Sequence, residues 1–413
     1  MKTLTAAIQF GSSRICAAAA KIHENGTYEV TAIESVFTAG CIQHGCVANV
    51  EETAQRIKSL MQKLSNRVKS NGFGNLQAAY VGLCGISMHS VEFQPTMSCH
   101  IDKKVPDEVI AKLEEKSRSF NIPDHDVLGL KSNGVVVEGD QVTGLHQIII
   151  GEQRLKQGYV QAMERANIRI AGFLATPLML GDILTADERK KGCLLLDLGS
   201  HLTSVSIYKD GALRFLTVLP LGGNSVTRDI DSLGKRMDEA EELKINWSDA
   251  SLPIEDKPST FSLNCPVDPL TLNLIVTSRY EEIIANVVHQ ITLAGFTADQ
   301  FEAGCVVTGG ASMQKGLTTL LSRRLGIAPV CTRSCNGIKF GSSEKKPHLA
   351  ALMSMLPYCR QSCEEKKADA VISATAAPEP VSVGAPAAAV RGRSIKKGFG
   401  AFIGDLFSGL SDE

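Results

Sequence analysis

Three short glycine-bearing turns punctuate the 413-residue sequence. Gly11-Ser12-Ser13 and Gly199-Ser200-His201 each separate two strand-like runs, and Gly309-Gly310 follows another apolar run. Glycine lets a backbone come close to a ligand and adopt dihedrals that other residues avoid. Exposed N–H groups and hydroxyls then offer donors to an anion such as a phosphate. Taken singly, either Gly-Ser turn reads more readily as an ordinary hairpin; their repetition, with the third turn at Gly309-Gly310, is what points to an anion site. His201 either touches such a ligand or is a solvated turn histidine. No Ser/His/Asp or Cys/His pattern of nucleophilic catalysis accompanies the turns.

A second set of residues points to a surface rather than a pocket. Ile395, Phe399, Phe402, Ile403, Leu406, Phe407 and Leu410 fall on one face of a helix, and Arg391, Arg393, Lys396 and Lys397 cluster at its start. Gly398, Gly400, Gly404 and Gly409 each weaken the isolated helix by about 1 kcal/mol relative to alanine. Such a helix forms where a surface stabilises it. The basic start and the aromatics favour anionic membrane lipid. The competing reading is a helix docked on its own protein or in a partner's groove. The preceding segment, 364–393, is rich in Ala, Pro, Ser and Glu and is expected to be a disordered linker.

The elements that position the turns follow from patterning. LTAAIQF and RICAAAAKI read as strands joined by GSS; Asn25-Gly26 is a hairpin signal, and TYEVTAIES a third strand. Asn49, with Glu52 three residues on, forms a capping-box pattern ahead of a helix with the stripe Ile57, Leu60, Met61, Leu64 and Val68. Asn71-Gly72 ends that helix, and LQAAYVGLCG returns as a buried strand. Between 86 and 164 the pattern is α+β: a helix in VPDEVIAKLEEKSRSF with a solvated charged face at 107–118, strands in GVVVEGDQVTG and LHQIIIG, and a helix in RLKQGYVQAMERA. The opening meander then recurs in KGCLLLDLGSHLTSVSIYKDGALRFLTVLPLGG, with Lys209-Asp210-Gly211 as its second turn, about 185 residues later; this suggests a duplicated domain. GGNSVTRDIDSLGKRMDEAEELK holds one or two helices, residues 247–268 loops and short strands, and LTLNLIVTSRYEEIIANVVHQITLAGF a long helix closed by Gly295. Trp247 reads as a packing residue.

Composition narrows the classes. A chain this long builds a core without staples. It is 44% hydrophobic and 21% charged, as soluble globular proteins are. The net charge of -1 and the 5% aromatic content argue against nucleic acid as a partner. No apolar run reaches the roughly 20 residues of a membrane-spanning helix. The N-terminal run reads as strand–turn–strand, not as a leader peptide. The 12 cysteines lie mostly in apolar stretches, as reduced thiols do. Cys331/Cys335 and Cys359/Cys363 are spaced more widely than zinc pairs usually are.

The segments IQFGSSRICAAAA, LLLDLGSHLTSVSIY and VVTGGASMQKGL resemble the phosphate-1, phosphate-2 and adenosine motifs of the actin-like ATPase superfamily. LGGNSVTRDI resembles its connecting helix motif, and Ala240-Glu241-Glu242-Leu243-Lys244 a nucleoside-contacting one. An insertion after the first β-β-β-α unit makes the order similar to the FtsA family of bacterial cell-division proteins. The resemblance covers most of residues 4–358, and the basic amphipathic tail extends it. It implies an α/β fold of two duplicated actin-like (ribonuclease H-like) domains around a nucleotide cleft, with an inserted α+β subdomain, a linker and a C-terminal amphipathic helix. The implied boundaries are subdomain IA at 1–85, 165–196 and about 338–360; IC at 86–164; IIA at 197–226 and 300–337; IIB at 227–299; the linker at 364–393; and the membrane-targeting helix at 394–413.

The resemblance also implies ligands. Gly11, Ser12 and Ser13, with the cation Arg14, would hold the phosphates of ATP from one side, and Gly199, Ser200 and Thr203 from the other. Gly222 and Gly223 belong to the connecting motif. Gly309 and Gly310 would pack on the adenosine, and Glu241 and Lys244 would approach ribose and base. Asp197 would serve Mg²⁺. Where the family's first loop usually begins with Asp, this chain has Gln9, and the second loop's later Asp is Ser204. One carboxylate where two or three are usual implies weak or absent hydrolysis, near background. Arg393, Lys396, Lys397, Phe399, Phe402, Ile403, Leu406, Phe407 and Leu410 would bind the membrane. The implied role is a division-site scaffold on the cytoplasmic face of the cell membrane. It would self-assemble into actin-like protofilaments, tether filaments of the tubulin-like FtsZ through residues near 227–300, and recruit later division proteins. Other members of the superfamily were weighed: a small-molecule kinase, for which no acceptor-facing carboxylate is found; a chaperone, for which no peptide-binding β domain follows residue 358; and a pilus-assembly relative, which usually lacks such a tail.

Overall fold

In the computed structural model, which describes residues 3–23, 27–100, 105–251, 265–333 and 346–364, one strand order occurs twice. The first sheet is built from β1 (Thr3–Phe10), β2 (Arg14–Ile22) and β3 (Tyr28–Phe37). A small hairpin of β4 (Ile42–Gln43) and β5 (Cys46–Val47) leads to helix α1 (Val50–Ser70) and strand β6 (Ala78–Leu83). Strands β1, β2 and β3 pair antiparallel, and β1 and β6 pair parallel. The Asn25-Gly26 turn lies outside the described residues.

α1 forms where the stripe predicts it. The Asn49 side chain caps it by accepting from the Glu52 N–H at 3.0 Å. The other half of the expected box is absent: the Glu52 carboxylate pairs with Arg56 one turn on at 2.5 Å, a charge-assisted bond stronger than one to a backbone N–H. Ile57, Leu60, Met61, Leu64 and Val68 are all buried.

The insertion holds β7 (His89–Phe93), β8 (Thr96–Ser98), α2 (Asp107–Arg118), β9 (His125–Glu138) and β10 (Gln141–Glu152). The strands around turns expected in GVVVEGDQVTG and LHQIIIG are parts of one long β9–β10 hairpin that turns at Gly139-Asp140. Its glycines at 134, 139 and 144 hid the continuity. β7 and β8 gave no alternation clear enough to read. The chain then re-enters the first half through α3 (Gln153–Arg165), which packs on α1, and β11 (Arg169–Ala175), parallel to β6. The first sheet is thus ordered β11-β6-β1-β2-β3.

After the short helices α4 (Thr176–Met179) and α5 (Ala186–Lys191), the second half repeats the plan. β12 (Cys193–Leu198), β13 (Thr203–Lys209) and β14 (Ala212–Leu219) form the meander; Asp210 and Gly211, with φ of 57° and 78°, make its tight turn. Helices α6 (Gly223–Asp231), α7 (Met237–Trp247) and α8 (Pro269–Leu293) precede β15 (Cys305–Thr308), α9 (Leu317–Leu325) and β16 (Val330–Thr332), and α10 (Ala350–Met355) follows. The order β16-β15-β12-β13-β14 mirrors the first sheet, including parallel pairing at β12/β15 and β15/β16. The duplication inferred from two meanders is therefore a duplication of topology. No strand occurs among the described residues of 247–268. Trp247 packs against the second core.

One core surrounds Ile8, Leu60, Leu83, Tyr159 and Leu352 and takes in Leu195, Tyr208, Leu216 and Val306 from the second half's sheet. The other lies within the second half, around Leu196, Ile207, Val226, Tyr280 and Val307. A small third cluster, Val105, Val109, Leu113 and Val142, holds the insertion. At about 25 cal/mol per Å² of buried apolar area, these clusters supply the drive for folding. All cysteines among the described residues are free thiols, and Cys359 and Cys363 are fully buried.

Candidate functional site: a cleft of glycine turns

The first turn is closed by the Gly11 N–H donating to the Arg14 carbonyl at 3.0 Å. A Cβ on Gly11 would lie 2.8 Å from that same oxygen, so a larger residue would open the turn. The Ser13 carbonyl accepts from the Thr38 N–H at 3.0 Å, and the Ser12 carbonyl from the Thr38 hydroxyl. Their partner Thr38 is buried and fixes the turn, while Ser12 is half-buried and Ser13 exposed. Arg14 does not lean over this turn. Its guanidinium lies 3.8 Å over the Phe37 ring, and Nη1 sits 3.4 Å from the Ser35 hydroxyl.

The second turn is built the same way, with the Gly199 N–H donating to the Leu202 carbonyl at 2.8 Å. It is also welded to the start of α6. The Gly223 N–H donates to the Gly199 carbonyl at 2.9 Å and the Asn224 N–H to the Ser200 carbonyl at 2.7 Å. Gly222 makes this possible: a Cβ there would stand 2.6 and 2.5 Å from those two oxygens. Gly222 and Gly223 thus face the turn's backbone. Thr203 is fully buried and its hydroxyl donates to the Leu221 carbonyl at 2.8 Å, which turns it away from the open side of the turn.

The third turn meets the second. Gly309 has φ of 88°, a left-handed conformation, and a Cβ on it would stand 2.5 Å from the Asp197 Oδ1 and overlap the Leu198 carbonyl. Its N–H donates to the Pro347 carbonyl at 3.3 Å, as does the Thr308 hydroxyl at 3.1 Å. Gly310 lies against His348, whose ring is within electrostatic range of Arg14 from the first half.

Asp197 is the carboxylate at this junction. It is the penultimate residue of β12, as Gln9 is of β1. Burial raises its pKa to about 6, and no hydrogen bond or ion pair offsets that burial among the described residues. The side chain is half-buried, and a carboxylate with no protein partner has the chemistry to accept a cation. Among the described residues no cluster of three metal-ligating side chains occurs, so an ion here would draw its remaining ligands from a bound molecule and water.

Lys244 and Glu241, both on α7, lie behind α6. The Lys244 ammonium donates to the Gly223 carbonyl at 3.1 Å, the Thr227 hydroxyl at 2.8 Å and the Glu241 carboxylate at 2.6 Å. Its three donors are filled and it is buried, which lowers its pKa despite Glu241. Glu241 remains about half exposed. Sequence reading missed Thr38, His44 and His348, which line or brace the turns from loops whose sequence carries no motif. The predicted membrane-binding residues from Arg393 to Leu410 lie outside the described residues.

This fold is actin-like. Its likeness extends to a solved chain titled PilM-PilN type IV pilus biogenesis complex, with a TM-score of 0.61 at 18% identity over 85% of this chain and 96% of that one. A second, EutJ from Carboxydothermus hydrogenoformans, gives a TM-score of 0.50 at 12% identity over 86% and 90%. A family model described as "Cell division protein FtsA" matches residues 194–354. The Porphyromonas gingivalis cell division protein FtsA is 30% identical over 349 residues, covering 79% of this chain and 72% of the relative. The Escherichia coli protein of that name is 22% identical over 87% and 91%. The chain belongs to the FtsA family.

Proposed function

We propose that this chain is a division scaffold that binds ATP in the cleft and links FtsZ polymers to the membrane. The carrying observation is the junction of Gly309 with the carboxylate of Asp197, the residue that leads into the Gly199 turn, so that two sequence-distant turns meet. The turn N–H groups of the Gly11 and Gly199 hairpins offer donors for phosphate oxygens. Asp197 would hold Mg²⁺, which when bound neutralises phosphate charge. Glu241, with its free carboxylate face, would approach the nucleoside, and Lys244 acts by fixing Glu241 and the start of α6. With Gln9 in place of a second carboxylate, nothing in the first turn orients an attacking water, and turnover near background follows.

The tail, residues 394–413, would hold the core on anionic lipid at the cytoplasmic face of the membrane. No helix among the described residues is long and apolar enough to cross one. Self-assembly into protofilaments and recruitment of later division proteins through the insertion complete the reading. The test mixes purified protein, anionic vesicles and FtsZ with and without ATP. Polymer should sediment with vesicles in the presence of the full chain and be lost when 394–413 is deleted. Recruitment by the truncated chain would overturn the tether.

A further inference from the structure

His44 lies in the loop between β3 and α1, in the first half. That loop is rigid. His44 and Gly45 both have positive φ, 47° and 76°, and a Cβ on Gly45 would overlap the Cys84 carbonyl and lie 2.6 Å from the Gly85 Cα. The Gly45 carbonyl accepts from the buried Tyr159 hydroxyl at 2.6 Å, and Ala48 closes the loop on the Cys41 carbonyl at 2.9 Å. A non-glycine residue with positive φ is strained and persists only where its surroundings fix it. His201 is fixed just as firmly to the second half, by the bonds from α6 to the turn that carries it.

The two rings meet across the halves with centroids 5.2 Å apart at a 48° tilt. The Nδ1 atom of each ring is buried without a hydrogen-bond partner among the described residues. The charges acting on the rings are each other and Arg228 of α6; no carboxylate is among them. Because each ring is anchored to a different half, any opening of the halves would part the two rings.

We propose that His44 and His201 form a proton-sensitive clasp across the cleft: two neutral rings hold the halves closed, and protonation of either opens them. A proton placed in this seam is partly desolvated beside Arg228 and a second imidazole, and opening rehydrates it. The burial pushes His201 down to about 4 and lowers His44, so the clasp is shut at neutral pH and loosens as pH falls below the ordinary histidine range. The inference does not require a nucleotide, and its test is run without one.

Full-length protein carrying ¹³C-labelled histidine is titrated by NMR, with the radius of gyration followed by small-angle scattering at the same pH values. The His201 ring, identified by its loss in His201→Asn, should titrate well below the ordinary value of about 6.5, and the radius should grow as it does. His44→Asn should move the His201 midpoint upward and weaken the pH response, and Arg228→Gln should move it upward too. If one variant fails to fold, the other two carry the comparison, and the wild-type titration stands alone. A His201 ring that titrates at the ordinary value, a radius unchanged through its titration, or one pH response shared by wild type and variants overturns the clasp.

Discussion

Gly309 stands against Asp197 so closely that a single added Cβ would lie 2.5 Å from the carboxylate oxygen, although 112 positions separate them in the chain. Two parallel strands produce this contact. Asp197 pairs with Thr308 in the β12–β15 ladder, which delivers the next residue, Gly309, to the carboxylate. The cleft is therefore a product of register, and its chemistry can be tested residue by residue.

Asp197→Asn should stabilise the ligand-free protein at neutral pH while weakening Mg²⁺-nucleotide binding. The folded carboxyl is raised to about 6 by burial. Its charged form therefore costs stability above that pH, and the cost fades as pH falls towards the ordinary value of about 4. The gain from Asn should be about 1–3 kcal/mol at pH 7 and vanish near pH 4. Paired denaturant melts at the two pH values read it out. A loss of stability at pH 7 would mean the carboxylate has an unseen structural partner.

The Glu188–Arg333 pair should act with the opposite sign. Arg333 donates to both Glu188 oxygens, at 2.7 and 2.6 Å, and to the Ile183 carbonyl at 3.0 Å, tying α5 to the end of β16. Arg333 holds Glu188 down at about 2. This stability is present above the ordinary carboxylate pKa and is lost as pH falls from about 4 towards 2. Glu188→Gln should cost about 1–3 kcal/mol at pH 7 and little at pH 2, measured by thermal unfolding.

Lys244→Met should destabilise by about 2–4 kcal/mol, since it strips hydrogen bonds from the buried Gly223 carbonyl and Thr227 hydroxyl and leaves the half-exposed Glu241 unpaired. Lys244→Arg should not rescue, because a planar fork does not reproduce three tetrahedral donors. Calorimetry of both variants checks this; rescue by Arg would show that charge alone matters at the site.

Much of this was legible in the sequence, and the limits have physical causes. The meanders, the α1 stripe and the glycine turns are local signals: period-two or period-3.6 burial, and residues demanding special φ. The turns' convergence was legible only through resemblance, because register between β12 and β15 is set by tertiary packing. The orientation of Arg14 was hidden, since nothing local tells a guanidinium to prefer the Phe37 ring. The partner of Thr203 was hidden for the same reason: its hydroxyl donates to the Leu221 carbonyl, which no local signal marks. The long β9–β10 hairpin was masked by glycines at 134, 139 and 144, which read as turns until paired.

The most direct measurement is equilibrium dialysis of ATP with Mg²⁺ against the wild-type chain and Gly309→Val, with circular dichroism confirming that both are folded. Wild type should bind with one site and lose most of its affinity when Mg²⁺ is withdrawn, and Gly309→Val should lose binding by at least about tenfold, equivalent to about 1.4 kcal/mol. A folded Gly309→Val variant that binds as the wild type does would contradict the assignment of these turns to a nucleotide.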